Sequence, residues 1–352
     1  MPSLAARTDK PLTAVRDRDY LLDRHGVIFK VIGDVHPESH YLGYVKYYPD
    51  SKGDRRLFGQ TYRQNSVVSK SFGILADRPE CYVYSDVLGC VITGLPRGDI
   101  AAHYCCRQVL TDIHDDPGRV QGTRAGSDLL AIIDHIISSG NASHFGITGS
   151  FLVGCFTCRS DIDLVCYGPI GYEAATDLFQ ETHLIKPYSG DDLTQLYLRR
   201  AKYMMGNDFD SLIKQESRKF QGLTPHAKAH INCEPLRPDD DHTFAGMHAK
   251  EIGDMTLLAT ITDHTHGLTT PAIYQIDVQN ILSSTIDEPG AFTCRITYLR
   301  SYLGAYTGAF RVGDNVYIAG KLVHLQDGDC SAFGIELSPW NVGNSYLASL
   351  AA

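Results

Sequence analysis

Over its first third the chain alternates apolar and polar positions with a period of two, the spacing of half-buried strands. Gly26-Val-Ile-Phe-Lys-Val-Ile-Gly33 predicts one strand and His40-Tyr-Leu-Gly-Tyr-Val-Lys-Tyr-Tyr48 the next, joined through His36-Pro37-Glu38-Ser39. Further short strands are expected around 80–84 and 89–93. Residues 17–112 therefore read as a small β-rich domain, preceded by a polar stretch, 1–16, expected to be a flexible tail. Residues 112–120 are turn-rich and mark a boundary, after which the period becomes helical. Leu129, Leu130, Ile132, Ile133, Ile136 and Ile137 share one broad face of a helix ending near Gly140. A strand (144–147), a helical stretch (151–156) and a strand (161–167) follow. Helices are then predicted at 172–182, 192–205 and 209–220, and a strand at 230–234. That alternation makes 121–236 an α/β or α+β core. Residues 236–242 look like a linker. Beyond 243, β runs return at 255–262, 272–276, 294–298, 315–325 and 331–337, so 243–352 is expected to be a second β-rich domain, with a small barrel as one way of closing it.

The 352 residues carry 43% hydrophobic side chains, enough for sizeable cores. The 32 Lys and Arg against 41 Asp and Glu give a net charge of −9, which argues against a basic nucleic-acid coat or a polybasic membrane binder. No apolar run approaches the ~20 residues of a membrane helix, and the start lacks the apolar stretch of a secretory signal. A cytoplasmic protein is expected, with its ten cysteines reduced and mostly buried. Cys155 and Cys158 form the one CxxC, too little for a structural zinc site.

The candidate chemistry lies at 146–168. A strand runs into Gly149-Ser150, where the backbone can approach an anion closely and the hydroxyl can donate to it. Asp161 and Asp163 alternate on the next strand, so both carboxylates are expected on one face. A hard divalent cation relieves their repulsion, and a phosphate cradle beside a paired-Asp metal seat is equipment for phosphoryl transfer from a nucleoside triphosphate. Taken singly, a Gly-Ser is usually a cap and an Asp-x-Asp a solvated edge. The apolar flanks Ile162, Leu164 and Val165 favour function here. In His230-Ile-Asn-Cys-Glu-Pro235, residues His230, Asn232 and Glu234 alternate with apolar ones. Taken alone, Glu234 reads as an exposed strand-end carboxylate before Pro235. Positions 121–198 hold three basic residues (Arg124, Arg159, Lys186) against nine acidic ones, whereas 199–228 hold seven basic against three acidic. If the two segments face each other, Arg199, Arg218 and Lys219 are the candidate triphosphate ligands.

Gly149-Ser150, a ten-residue gap and Asp161-Ile-Asp163 resemble the signature of the polymerase β-like nucleotidyltransferase superfamily. More narrowly, Gly146-Ile-Thr-Gly-Ser-Phe-Leu-Val-Gly154 and Ser160-Asp-Ile-Asp-Leu-Val-Cys-Tyr-Gly168 are similar to a family of predicted, archaeal-type nucleotidyltransferases. Gly26-Val-Ile-Phe29, His36-Pro37, Tyr47-Tyr-Pro49, Gly53-Asp-Arg55 and Gly313-Asp-Asn-Val-Tyr-Ile-Ala-Gly-Lys-Leu322 share that likeness, which spans most of the chain. The resemblance implies a mixed-sheet, polymerase β-like α+β core flanked by the two β-rich domains. It also implies two Mg²⁺ ions, with Mn²⁺ as a substitute, and an NTP such as ATP as substrate. On that expectation Asp161, Asp163 and, as the third carboxylate of the superfamily, Glu234 hold metal, with Glu234 also the base and His230 the alternative in that role, and Gly149 and Ser150 cradle the phosphates. A nucleoside monophosphate passes to a hydroxyl of a small molecule, a protein or an RNA end. The alternative is a nucleotide- or RNA-binding module without turnover. Tyrosines at 41–48 could stack bases or merely cover a sheet. Asp239-Asp-Asp241 reads as a linker charge run, Arg97-Gly-Asp99 as an incidental turn, and His264 and His266 lack nearby partner ligands.

Overall fold

In the computed structural model, residues 14–201, 209–239, 248–327, 330–340 and 346–349 are described. Residues 1–13 of the expected tail, 202–205 of an expected helix and 240–242 of the expected linker lie outside them. The period-two stretches form β1 (Tyr20–Asp23), β2 (Ile28–Val31), β3 (His40–Pro49), β4 (Arg55–Leu57) and β5 (Gln60–Gln64), then a short helix α1 (Lys70–Ile74), β6 (Tyr82–Ser85), β7 (Cys90–Pro96) and β8 (Ile100–Tyr104). The sheet runs β4-β5-β3-β2-β1-β8, with β7 also on β3 and β6 on β7. Alternation sorts its side chains onto two apolar faces. Leu21, Phe29, Val31 and Val45 pack with Leu75, Cys81 and Leu95 on one side. Tyr20, Leu22, Ile28 and Tyr47 belong to a different cluster on the other.

A helix, α2 (Cys106–Asp115), occupies part of the stretch where turns were expected. Cys106, Val109, Leu110 and Ile113 are buried along it, the i, i+3, i+4, i+7 spacing of an amphipathic helix. In α3 (Arg124–Ser138) the Thr123 hydroxyl accepts from the Gly126 N–H at 3.0 Å, capping a helix that buries Leu129, Ile132, Ile133 and Ile136. Then come β9 (Phe145–Thr148), α4 (Gly149–Val153), β10 (Ile162–Tyr167), α5 (Gly168–Leu178), β11 (Phe220–Leu223) and β12 (His230–Leu236). They form a mixed sheet in the order β11-β12-β10-β9. Its central pair, β10 and β12, is parallel and fully buried at Ile162, Leu164, Val165 and Ile231, as parallel strands covered on both faces must be. One continuous apolar cluster joins Tyr20, Leu22 and Ile28 of the first sheet to Ile132, Ile147, Leu164 and Ile231.

The remaining elements are α6 (Asp191–Arg200), α7 (Phe209–Glu216), β13 (His248–Asp263), β14 (Ala272–Ser284), β15 (Ile296–Ser301), β16 (Asn315–Asp327), β17 (Cys330–Leu337) and β18 (Tyr346–Ser349). The strand path β13-β14-β15-β17-β16 returns to β13, with β18 added on β16. Five strands thus close on themselves as a small barrel, and β15 and β17 are its parallel pair. By contacts the chain divides into two units. The first comprises 1–83, 93–188 and 220–240, the second 84–92, 189–219 and 241–352. The architecture is α+β. Among the described residues, no helix is long and apolar enough to cross a membrane.

Candidate functional site

The residues of 146–168 run from the edge strand β9 to the central strand β10 of the mixed sheet. Asp163, half-buried on β10, lies opposite Thr148 of β9 on one side and Asn232 of β12 on the other. At Gly149, the first residue of α4, the chain turns with φ +70°. A Cβ built on Gly149 would sit 2.1 Å from Asp163 Oδ2, so both the backbone angle and the space demand glycine. Ser150 is buried in the five-residue α4, which Gly154 ends in a left-handed conformation at φ +73°. Asp161 stands one residue before β10 and is exposed.

Register decides which neighbour Asp163 meets. On the parallel partner strand, Asn232 is aligned with Asp163 while Glu234 is aligned with Val165, two residues further on. Asn232 Nδ2 donates to Asp163 Oδ1 at 2.7 Å. Its Oδ1 is buried and has no hydrogen-bond partner among the described residues. Glu234 pairs with the Arg18 guanidinium. Among the described residues, no three His, Cys, Asp or Glu side chains converge as a metal site; the side chain that meets Asp163 from β12 is an amide.

Arg18 is itself unusual. It is 6% exposed and, although not glycine, adopts φ +72°, a conformation that costs ~1–3 kcal/mol and persists only where surrounding contacts enforce it. Its carbonyl accepts from Thr148 Oγ1 at the end of β9 at 2.9 Å and from Cys106 Sγ at the start of α2 at 3.3 Å. The Thr148 side chain beside Gly149 thus helps to fix the arginine that meets Glu234.

Two lysines accompany it on the first sheet. Tyr20 of β1, Lys30 of β2 and Tyr44 of β3 lie in one cross-strand row. Tyr20 and Ile28 place that face on the side of the core shared with β9, β10 and β12. Lys46 is the extra residue of a β-bulge: Phe29 aligns with Val45 and Ile28 with Tyr47, leaving Lys46 without an opposite number. Bulges re-aim side chains, and Lys46 Nζ lies 6.0 Å from the centre of the Tyr44 ring. Burial would push the Tyr44 phenol up, but the charges of Lys46, Lys30 and Arg18 outweigh it and hold the group below its usual value, with Glu234 opposing them. Lys30 and Lys46 are half-buried, and among the described residues neither makes an ion pair. Arg55 of β4 completes the frame: its Nη1 donates to Thr157 Oγ1 and Ser160 Oγ, each at 3.2 Å, pinning the loop that leads to Asp161.

The residues expected from sequence separate into two groups. Gly149, Ser150, Asp161, Asp163 and Glu234 all lie in the first unit, and Arg199, Arg218 and Lys219 in the second. There Arg218 binds Asp314 and donates to the Ala309 carbonyl at 2.9 Å. Lys219 donates to Glu216 Oε1 at 2.5 Å and to the Ala305 carbonyl at 2.6 Å. Arg199 is exposed on α6. Glu216 is 1% exposed and collects Lys219 and Arg200, as a buried carboxylate must. His230 is hydrogen-bonded to Tyr188. Cys155 is buried and Cys158 exposed, both as free thiols. Asp239 is held by Arg16 and Arg107, and Asp240 and Asp241 lie outside the described residues. Sequence inspection passed over Arg18, Lys30, Lys46 and Asn232. The one local signal was a lysine at position 30 of an otherwise apolar strand, two residues from buried Ile28 and Ile32.

The chain is similar to the uncharacterized protein MJ1086 of Methanocaldococcus jannaschii: 21% of residues are identical over 328, spanning 89% of this chain and 92% of that protein. No family model matches the chain, and no solved structure matches it.

Proposed function

We propose that the chain is a cytoplasmic, Mg²⁺-dependent nucleotidyltransferase with a polymerase β-like core. The carrying observation is the approach of the Gly149 backbone to the Asp163 carboxylate, so close that a Cβ would displace Oδ2, at the centre of a mixed sheet whose next strand presents Asn232. The resemblance of 146–168 to the superfamily signature supports the same reading. The donors fit a hard divalent ion: Asp161 and Asp163 offer carboxylate oxygen, and Asn232 Oδ1 is a buried oxygen without a partner among the described residues. Two magnesium ions would be held by Asp161 and Asp163 with the Asn232 amide oxygen beside them, and would supply charge neutralisation for phosphoryl transfer. Gly149 and Ser150 hold the phosphates of the NTP. An acceptor hydroxyl attacks the α-phosphorus. The new O–P bond forms as the bond to the β-phosphate oxygen breaks, pyrophosphate leaves, and the hydroxyl proton passes to Glu234. The acceptor is a small molecule, a protein side chain or an RNA end, because a net charge of −9 disfavours long duplex DNA.

Asn232 opposite Asp163, where a carboxylate would strengthen the metal seat, favours a second reading: a nucleotide- or RNA-binding module without turnover. Incubation with NTPs radiolabelled at the α-phosphorus, Mg²⁺ or Mn²⁺, and pools of small-molecule, protein and RNA acceptors separates the two. Transfer by the native protein, reduced at least ~100-fold in Asp161→Ala/Asp163→Ala, supports the enzyme. Equal labelling by both proteins ends that proposal. Nucleotide binding without transfer leaves the binding module.

A further inference from the structure

Strand alternation puts charge where apolar residues belong. The β1–β3 face that carries Tyr20, Leu22, Ile28 and Tyr47 is part of the main core of the first unit, yet Lys30 and Tyr44 occupy the same face by register, and the bulge turns Lys46 toward Tyr44. Two half-buried ammonium groups lie there with no ion pair among the described residues, although the Glu234 carboxylate is close enough to act on Tyr44, so the face carries positive charge that an anion would neutralise. The neighbouring cation, Arg18, is bound to Glu234, a residue with a part in the proposed chemistry.

We propose that Arg18, Lys30, Lys46 and the Tyr44 hydroxyl form a phosphate subsite, and that an incoming phosphate group draws Arg18 away from Glu234. The proposal deepens the nucleotidyltransferase reading and rests on it for the role of Glu234, but the anion site itself does not need turnover. Its ligand is a phosphate ester or polyphosphate: several closely spaced oxygens, able to accept from a planar guanidinium and two ammonium groups together. Two sources share that chemistry, the triphosphate of the NTP and a phosphate carried by the acceptor. The coupling follows from the shared arginine. While Arg18 is bound to Glu234 it is not available to an anion, so the Arg18–Glu234 pair and phosphate in the subsite compete for one guanidinium. The electropositive surroundings of Tyr44, in which three cations overcome the effect of burial on the phenol, are those of a place built to hold negative charge.

Calorimetric titration of the full chain with inorganic tripolyphosphate, in EDTA so that no metal contributes, tests this directly. Lys30→Gln/Lys46→Gln should lower affinity at least ~100-fold, since each charged hydrogen bond lost is expected to weaken binding ~10-fold or more. Lys30→Arg/Lys46→Arg, which keeps both charges, should restore most of it. Glu234→Gln should move affinity the other way, tightening binding several-fold, because Arg18 is no longer shared. Unchanged affinity in the Gln pair, or weaker binding in Glu234→Gln, overturns the proposal. So does absence of tripolyphosphate binding to the native protein. If the Gln pair fails to fold, the Glu234→Gln titration and the Arg pair still decide. One-for-one displacement of tripolyphosphate by ATP assigns the subsite to the donor triphosphate, and simultaneous binding assigns it to a phosphorylated acceptor. Anion binding that follows these variants while no NTP is ever transferred leaves the subsite standing and removes the enzyme. Transfer that is indifferent to the lysines does the reverse.

Discussion

Gly149→Ala isolates the contact on which the site depends, because the chain supplies its own control five residues later. Both Gly149 and Gly154 are left-handed, at φ +70° and +73°, and alanine in that conformation costs about 1–2 kcal/mol. The entropy that alanine removes from the unfolded chain is the same at both positions. Their surroundings differ. A Cβ on Gly154 meets nothing within 4 Å, whereas one on Gly149 lies 2.1 Å from Asp163 Oδ2 and 2.9 Å from Cγ. Ordinary contact begins near 3.4 Å, so the carboxylate must retreat by more than 1 Å, enough to break the 2.7 Å hydrogen bond from Asn232. A hydrogen bond to a charged group is worth ~1.5–3 kcal/mol. Gly154→Ala should therefore cost about 1–2 kcal/mol, and Gly149→Ala ~2.5–5 kcal/mol by the same arithmetic. The assay is hydrogen exchange of β9, β10 and β12 amides in rising urea, since the single tryptophan, Trp340, belongs to the second unit and reports on that unit. Equal costs at the two glycines, or a smaller one at Gly149, would refute the claim that the backbone there is fitted to Asp163.

Two further outcomes concern stability. Arg300 and Glu336 are each 1% exposed, aligned on the parallel strands β15 and β17 and joined by an Arg300 Nε–Glu336 Oε2 bond of 2.8 Å. Arg300→Met should cost the second unit ~3–5 kcal/mol by leaving the carboxylate buried and unpaired, and adding Glu336→Leu should recover most of it. Trp340 fluorescence in a denaturant titration measures both. Burial depresses the His36 imidazole to about 4 from 6.5, with Asp34 opposing and Arg97 adding to the effect, and its Nδ1 accepts from the Leu42 N–H at 3.2 Å. The folded protein binds fewer protons than the unfolded chain across that window, so stability is lost as pH falls from about 6.5 toward 4. His36→Gln should flatten the slope there in urea midpoints taken from pH 7 to 4, and an unchanged slope would place the titrating group elsewhere.

Local pattern carried much of the architecture. The strands at 28–31, 40–49 and 162–167 and the helix at 124–138 fall close to where periodicity places them, because burial of one face is written into successive side chains. The α2 helix was hidden by Asp112, Asp115, Asp116 and Pro117, whose turn chemistry outweighs four apolar residues in a short window. That Gly149 needs a close approach was legible, but the sequence pointed to an anion there, whereas the group it meets is the Asp163 carboxylate. What sequence could not convey is registration between distant strands. Asn232 and Glu234 alternate identically along β12, and only pairing with β10 puts the amide beside Asp163. Lys30 and Lys46 join Arg18 only through the row and bulge of a sheet assembled from three strands. The basic run at 199–219 looked available because Glu216 and Asp314, the buried carboxylates that engage Arg200, Lys214, Arg218 and Lys219, cannot be recognised as buried from composition.

The junction of Arg18 with Glu234 brings together near-opposite ends of the first unit's sequence. A nascent polypeptide therefore cannot possess this pairing until synthesis has passed β12, however early the glycine turn and its aspartates emerge. An excised 121–236 segment would likewise retain every carboxylate and no counterpart from β1–β3, while baring the apolar surface that Tyr20, Leu22 and Ile28 cover. Trimming toward that segment alone would then yield an aggregation-prone fragment rather than a smaller folded protein.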